Sequence, residues 1–138
     1  MARRILLLVL AALLSLGASA TVVTQKSVVN GVTVAVTAGN LGPQSTVWDF
    51  AVVIRASNNR ILSDDLVRNA VLVASTGKQY KVLVWERAAA EPHHHAGVLK
   101  FIAIQPRPDW IELRIARPGE KKARSFSWLL GSGLLASR

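Results

Sequence analysis

Three consecutive histidines are the residues best suited by type and spacing to carry chemistry: His93, His94 and His95, which include every histidine of the chain. Neutral imidazoles are good ligands for Cu(II), Zn(II) and Ni(II), so the cluster predicts a divalent metal site. Adjacent side chains on an extended chain point to opposite sides, so His93 and His95 could share a metal while His94 faces away. A tight site would then need oxygen donors from elsewhere, and the candidates are Glu86, Glu91, Asp64 and Asp65. The other interpretation is a solvated loop in which one histidine packs or bonds to the backbone.

The residues that the chain lacks exclude several kinds of catalytic or redox site. It has no cysteine and a single methionine, Met1. Thiol nucleophiles, thiol redox motifs, blue-copper ligation and methionine-rich Cu(I) sites are thereby excluded. The sequence also has no glycine-rich phosphate loop, zinc-protease histidine pair or Gly-x-Ser-x-Gly elbow. We therefore predict that the protein is not an enzyme and has no catalytic residues.

Residues 1–20 have the pattern of a cleaved secretory signal. Arg3 and Arg4 precede an apolar run over residues 5–14, and Ala18-Ser19-Ala20 is a small-x-small cleavage pattern. The apolar run is shorter than the roughly 20 residues that span a bilayer, so no membrane span is expected after signal removal. The mature chain would start at Thr21, and losing the two arginines lowers its formal net charge from +9 to +7. We expect a periplasmic or secreted protein, which has no intracellular nucleic acid as a partner.

Short β-branched runs separated by turn residues follow the predicted signal, a pattern typical of an all-β sandwich or barrel. Asn30-Gly31 predicts a hairpin, since both residues tolerate positive φ. Trp48 and Phe50 share one face of a predicted strand and should lie in the core. We predict an immunoglobulin-like β-sandwich of seven or eight antiparallel strands over residues 21–130, followed by a frayed tail over residues 131–138.

Three segments set the surroundings of the histidines. Lys78 to Trp85 is expected to form one strand, and residues 86–96 the longest irregular stretch of the domain. The histidines would then lie just before a strand over residues 97–104. Farther back in the chain, Ser63 could cap a helical turn over residues 64–69, although Val71-Leu72-Val73 favours a strand there.

Tryptophans and basic residues suggest further binding surfaces. Three of the four tryptophans are in phase with aliphatic core positions, which favours core packing, whereas an exposed Trp85 or Trp110 would suit stacking against a sugar. Lys121-Lys122-Ala123-Arg124 forms a basic cluster at a predicted hairpin tip. In an exported protein, the partners of such a cluster would be an anionic cell-envelope component or another envelope protein.

Several segments together resemble a group of small exported bacterial proteins of unknown function. They form the pattern W-D-F … D-L … W … H-H-x-x-G-x-L-x-F, which is found here at residues 48–50, 65–66, 85 and 93–101. The similarity covers residues 32–130, and it implies export and an immunoglobulin-like sandwich but no activity. By position, His93 and His94 match the paired histidines of the pattern, and His95 falls where a basic residue is usual. Many members have a further histidine before the Asp-Leu pair, where residues 56–60 of this chain have none.

These observations lead to one main hypothesis and two alternatives. The main hypothesis is an exported, non-enzymatic binding or adhesion domain of unknown ligand, with a divalent metal at the histidine loop. The first alternative is a periplasmic protein that handles Cu, Zn or Ni through His93 and His94. The second is an accessory domain that recognises glycans through Trp85 or Trp110.

Overall fold

The computed structural model describes residues 23–131, which form strands and one short helix. The elements are β1 (Thr24–Val29), β2 (Val32–Ala38), β3 (Val47–Ala56), α1 (Leu66–Asn69), β4 (Ala70–Ala74), β5 (Gln79–Lys81), β6 (Val84–Glu91), β7 (His94–Ile102), β8 (Trp110–Ile115) and β9 (Arg124–Leu129). The predicted signal over residues 1–20, the start at Thr21 and the tail after residue 131 lie outside the described residues. Within residues 23–131, no helix has the length and apolar character needed to cross a bilayer.

The strands of residues 23–131 form two antiparallel sheets with the orders β1-β2-β3-β7-β6 and β5-β4-β8-β9. An immunoglobulin sandwich has the orders A-B-E-D and C-F-G, with C′ beside C in larger versions. In the five-stranded sheet, the A, B, E and D positions are taken in that order by β2, β3, β7 and β6. In the four-stranded sheet, the C′, C, F and G positions are taken by β5, β4, β8 and β9. The predicted immunoglobulin-like sandwich is confirmed, with nine strands in this region because β1 is added beside the A position.

Alternating side chains of both sheets point inward and fill one core. Trp48 and Phe50 are 1% and 0% exposed, which confirms their predicted burial. The Phe50 ring meets the edge of Phe101 at a centroid distance of 5.7 Å and packs on Trp128 at 5.0 Å. Because Trp128 belongs to β9, this aromatic cluster joins the two sheets face to face.

The prediction of an irregular stretch over residues 86–96 is wrong. These residues belong to the β6–β7 hairpin, whose turn is Pro92–His93. β6 is an edge strand with most of its residues exposed and with alanines at residues 88–90. It therefore lacks the apolar alternation that identifies a half-buried strand in a sequence.

The single strand predicted over residues 78–85 is divided between the two sheets. Gln79–Lys81 pairs with β4, whereas Val84 begins β6 and pairs with Lys100 of β7. The helical turn is α1, but its cap is Asp65 rather than Ser63. The Asp65 side chain accepts a hydrogen bond from Arg68 N at 3.3 Å.

Trp85 explains why position 97 requires glycine. Gly97 is buried on β7, and a Cβ atom there would lie 2.6 Å from the Trp85 ring and against the carbonyl oxygen of Glu86. The indole therefore lies directly over the Gly97 backbone. It covers the edge of the core where β6 and β7 have a register shift, between Arg87 and Ala89.

Candidate functional site

Four connections meet at one end of the sandwich, which we call the loop end: Asn30–Gly31, residues 57–65, Pro92–His93 and residues 116–123. Gly31 O accepts hydrogen bonds from Ser57 N at 2.8 Å and from Ser57 Oγ at 2.9 Å. Leu62 N donates to Pro92 O at 2.8 Å, and Arg117 Nε donates to Asp64 Oδ2 at 2.7 Å. Three of the connections take the places of the B–C, D–E and F–G loops of an immunoglobulin domain, and hydrogen bonds join them into one surface.

His93 lies in the turn of the β6–β7 hairpin and is bound to the loop beside it. Its Nδ1 atom is 2.7 Å from Arg60 O, and because a carbonyl only accepts, Nδ1 carries the proton. The backbone oxygen of His93 accepts from Ala56 N at 3.0 Å. In the neutral ring only Nε2 is therefore left to bind a metal or another donor.

His94 and His95 are residues of β7, so their side chains lie on opposite faces of the sheet. His94 is opposite Arg55 on the outer face, and its Nδ1 atom lies 3.7 Å from Glu91 Oε1. His95 is opposite Ile54, which is fully buried on the inner face. The structure thus directs the two strand histidines to different surroundings, with His93 apart from both in the turn.

The three histidines do not converge on one point. Within residues 23–131, no group of three or more His, Cys, Asp or Glu side chains lies close enough to hold a metal ion. A divalent metal at His93, His94 and His95 stays a prediction, and the alternative of a metal-handling protein has no structural observation in its favour.

A buried ion-pair network lies beneath the loop end. Arg117 donates to Asp64 through Nε at 2.7 Å and through Nη2 at 3.0 Å, and to Glu120 through Nη1 at 2.7 Å. Arg124 donates to the two carboxylate oxygens of Glu120 at 3.0 and 2.6 Å. Each of the four side chains is at most 9% exposed. Two acids and two bases thus neutralise each other out of water.

Arg124 also connects this network to the β1–β2 hairpin. Its Nη1 atom donates to Ser27 O at 2.6 Å and to Val32 O at 2.8 Å, and its Nη2 atom donates to Val29 O at 3.3 Å. The guanidinium therefore bridges β9 to the neighbouring edge of the other sheet. Nearer the other end of β9, the Gln25 side chain donates to Ser127 O at 2.9 Å and accepts from Ser127 N at 3.3 Å. Two side chains thus close the gap between the β1 and β9 edges.

The network shifts the ionisation of two of its members. Hydrogen bonding from Arg124 lowers the pKa of Glu120, burial opposes this, and Arg117 lowers it further. Burial by itself would lower the pKa of Arg117, but hydrogen bonds and charges from Asp64 and Glu120 outweigh burial and raise it. Glu120 and Arg117 are therefore both ionised throughout the neutral range.

Most of the charged side chains exposed at the loop end are basic. Arg60, Lys121 and Lys122 are exposed, and within residues 23–131 none of the three forms an ion pair. The exposed Asp65 lies 3.6 Å from Arg68, in a pair whose side chains are both largely in water. Since Asp64 and Glu120 are buried with their own arginines, they do not neutralise the exposed lysines.

The tryptophans differ in what they offer a ligand. Trp48 is in the core, Trp85 covers Gly97, and Trp128 packs against the core from β9. Trp110 is 38% exposed on the outer face of the four-stranded sheet. Of the two residues predicted as candidates for stacking on a sugar, Trp110 is exposed, whereas Trp85 is half-buried over Gly97.

Reasoning from sequence missed the buried network. It grouped Arg124 with Lys121 and Lys122 as a basic hairpin tip, but Arg124 is 4% exposed and its neighbours are solvent-exposed. The alternation along β9 could have revealed that Arg124 is buried, because Arg124 and the apolar Phe126 are two residues apart and therefore point to the same, inner face. An inward arginine needs a partner, and Glu120 is the nearest acid in the chain.

The strand order and the loop end define an immunoglobulin-like β-sandwich with a basic surface at its B–C, D–E and F–G end. No protein-family model matches the sequence, and no curated protein sequence matches it either. The crystal structure of MPT63, a secreted protein from Mycobacterium tuberculosis, is similar over 79% of this chain and 92% of MPT63. The TM-score is 0.42 and the sequence identity 16%. The resemblance to small exported bacterial proteins stays a prediction.

Proposed function

We propose that this protein is an exported, non-enzymatic binding domain whose loop end contacts phosphate-bearing anionic groups of the bacterial cell envelope. The observation that carries the proposal is the separation of charges at that end. Asp64 and Glu120 are buried in pairs with arginines, while Arg60, Lys121 and Lys122 face solvent without ion-pair partners in the described residues. Exposed cations on a hydrogen-bonded scaffold suit a fixed array of anions.

Export is supported by the sequence alone, through Arg3 and Arg4, the apolar run and the Ala18-Ser19-Ala20 pattern.

Lipid headgroups and phosphate-rich wall polymers both carry the phosphate groups that the loop end is proposed to contact. The two sources differ in presentation, since one forms a surface and the other a chain in solution, and they require separate binding measurements.

The test uses vesicles of phosphatidylglycerol in phosphatidylcholine and, separately, a soluble teichoic acid. We expect the mature protein to sediment with the anionic vesicles or bind the polymer, and to be released by salt. Each basic side chain near an anionic membrane contributes about 1 kcal/mol. The variant Lys121→Gln/Lys122→Gln should therefore bind such vesicles about 30-fold more weakly.

The matched control is Lys78→Gln/Lys81→Gln, which removes the same charge from exposed lysines flanking and within β5. If both double variants weaken binding equally, net charge rather than the loop end is responsible and the proposal is wrong. Absence of binding to both vesicles and teichoic acid would also contradict it. Binding to teichoic acid alone assigns the site to a wall polymer.

A further inference from the structure

A shallow cavity lies on the outer face of the four-stranded sheet, at the end of β8 opposite the loop end. Its volume is about 280 Å³, and its lining comprises Trp110, Glu112, Ser127, Trp128 and Leu129. β8 begins at Trp110 and ends at Ile115, next to the connection that carries the exposed lysines. The cavity is therefore separate from the surface in the proposed function.

Strand register brings one aromatic ring and two polar side chains to this face. Trp110 pairs with Leu129 and Glu112 pairs with Ser127, so all four side chains share the outer face of β8 and β9. Trp110 is 38% exposed and Leu129 is 86% exposed. The two form an apolar floor in water, and the Glu112 carboxylate and Ser127 hydroxyl lie two residues farther along the strands on the same face.

Hydrogen bonds fix the backbone around this floor before any ligand arrives. Trp110 O accepts from Ser75 N at 3.1 Å, and Ser75 Oγ accepts from Asp109 N at 3.1 Å. Leu130 N donates to Asp109 O at 2.9 Å. A preorganised site of this kind loses little conformational entropy on binding.

The carboxylate of Glu112 is oriented by its neighbour. The Nε and Nη2 atoms of Arg114 both lie 2.9 Å from Glu112 Oε1. The side chain of Glu112 is 19% exposed, so it reaches water only in part. Its other oxygen, Oε2, can accept a hydrogen bond from a ligand hydroxyl, and the Ser127 hydroxyl can both donate and accept.

We propose that this cavity binds one pyranose ring of a neutral saccharide. The apolar face of the sugar stacks on the Trp110 indole and touches Leu129, and equatorial hydroxyls bond to Glu112 and Ser127. An indole face beside a few oriented polar groups is the arrangement that sugar recognition needs. The free Oε2 atom of Glu112 accepts a hydrogen bond from a sugar hydroxyl but not from a uronate carboxylate, which has no proton to donate, so the site favours uncharged rings.

The test is titration of the mature protein with chitotetraose, cellotetraose and maltotetraose, with tetragalacturonate as the acidic comparison. Isothermal titration calorimetry measures the affinity of every variant, and the NMR signal of the Trp110 indole N–H group locates the bound sugar in the unaltered protein. We expect at least one neutral tetrasaccharide to shift that signal. Trp110→Ala should weaken the binding by about tenfold, and Glu112→Gln offers a second variant that leaves the apolar floor in place.

Two controls separate this site from the loop end and from general tryptophan effects. Lys121→Gln/Lys122→Gln and Trp85→Phe should each leave saccharide binding unchanged. The proposal is overturned if no neutral saccharide shifts the Trp110 signal, if neither Trp110→Ala nor Glu112→Gln weakens binding, or if tetragalacturonate shifts the Trp110 signal at lower concentrations than the neutral sugars do.

Discussion

Replacing Arg124 by methionine is the most direct test of what closes the sandwich. The change keeps a long apolar stem but removes the guanidinium that is hydrogen-bonded to Glu120 and to three backbone carbonyls of the β1–β2 hairpin. Glu120 then remains buried with Arg117 as its only cationic partner in the network. The hairpin carbonyls of Ser27 and Val32 also lose the hydrogen bonds that Arg124 donates.

The size of the effect follows from burial. The Arg124 side chain is 2% exposed, and the Glu120 side chain 7%. Removing one partner of a buried pair costs about 3–5 kcal/mol, because the other charge is left in a medium that solvates it poorly. At about 4 °C per kcal/mol for a domain of this size, the melting temperature should fall by roughly 12–20 °C.

Arg114→Met is the matched control, because Arg114 also pairs with a glutamate but is 42% exposed. An exposed pair contributes about 0–1 kcal/mol, so this variant should lose little stability. Both are measured by urea unfolding with tryptophan fluorescence as the signal. Equal losses in the two variants, or a loss below about 1 kcal/mol for Arg124→Met, would refute the argument from burial.

Two further predictions concern acid stability and the β6–β7 hairpin. The pKa of Glu120 is lowered in the folded state. Its ionised form therefore contributes fully to the free energy of unfolding above the ordinary glutamate pKa of about 4.3, and this contribution is lost as the pH falls through the lower pKa of the folded state. Glu120→Gln should therefore flatten the acid limb of a plot of unfolding free energy against pH, and an unchanged limb would contradict this. Gly97→Ala should destabilise the fold by about 1–3 kcal/mol, since its Cβ meets the Trp85 ring and the Glu86 carbonyl. Thermal melting measures the loss. The comparison is Gly42→Ala, whose Cβ would meet only the flexible side chain of Asn40. A stable Gly97→Ala with unshifted tryptophan fluorescence would be the opposing result.

The fold was predictable wherever one face of a strand is buried. Trp48 and Phe50 alternate with polar or exposed residues, so period-two alternation identifies β3 without knowledge of its partners. Most of β6 was not predicted as a strand, because both of its faces are largely exposed and its strand conformation depends on pairing with β7. Edge strands depend on a neighbour that a local pattern does not contain.

For the candidate site, the sequence showed which residue types are present but not which of them share a surface. Three histidines stand together in the sequence, yet the turn at Pro92–His93 and the alternation of β7 direct them apart. Arg124 and Lys122 are near neighbours in the chain, yet one is buried against Glu120 and the other faces water. Adjacency in sequence therefore did not predict a shared surface.

The sequence by itself determined the fold class, because apolar alternation and turn residues are local properties that every strand of the core repeats. It also determined which chemistries are absent, since a chain without cysteine cannot supply a thiolate. Only the tertiary structure decided which charges remain in water, because burial depends on what packs against a side chain from the other sheet. The basic loop end and the Trp110 cavity arise from that packing, which brings together residues far apart in the chain.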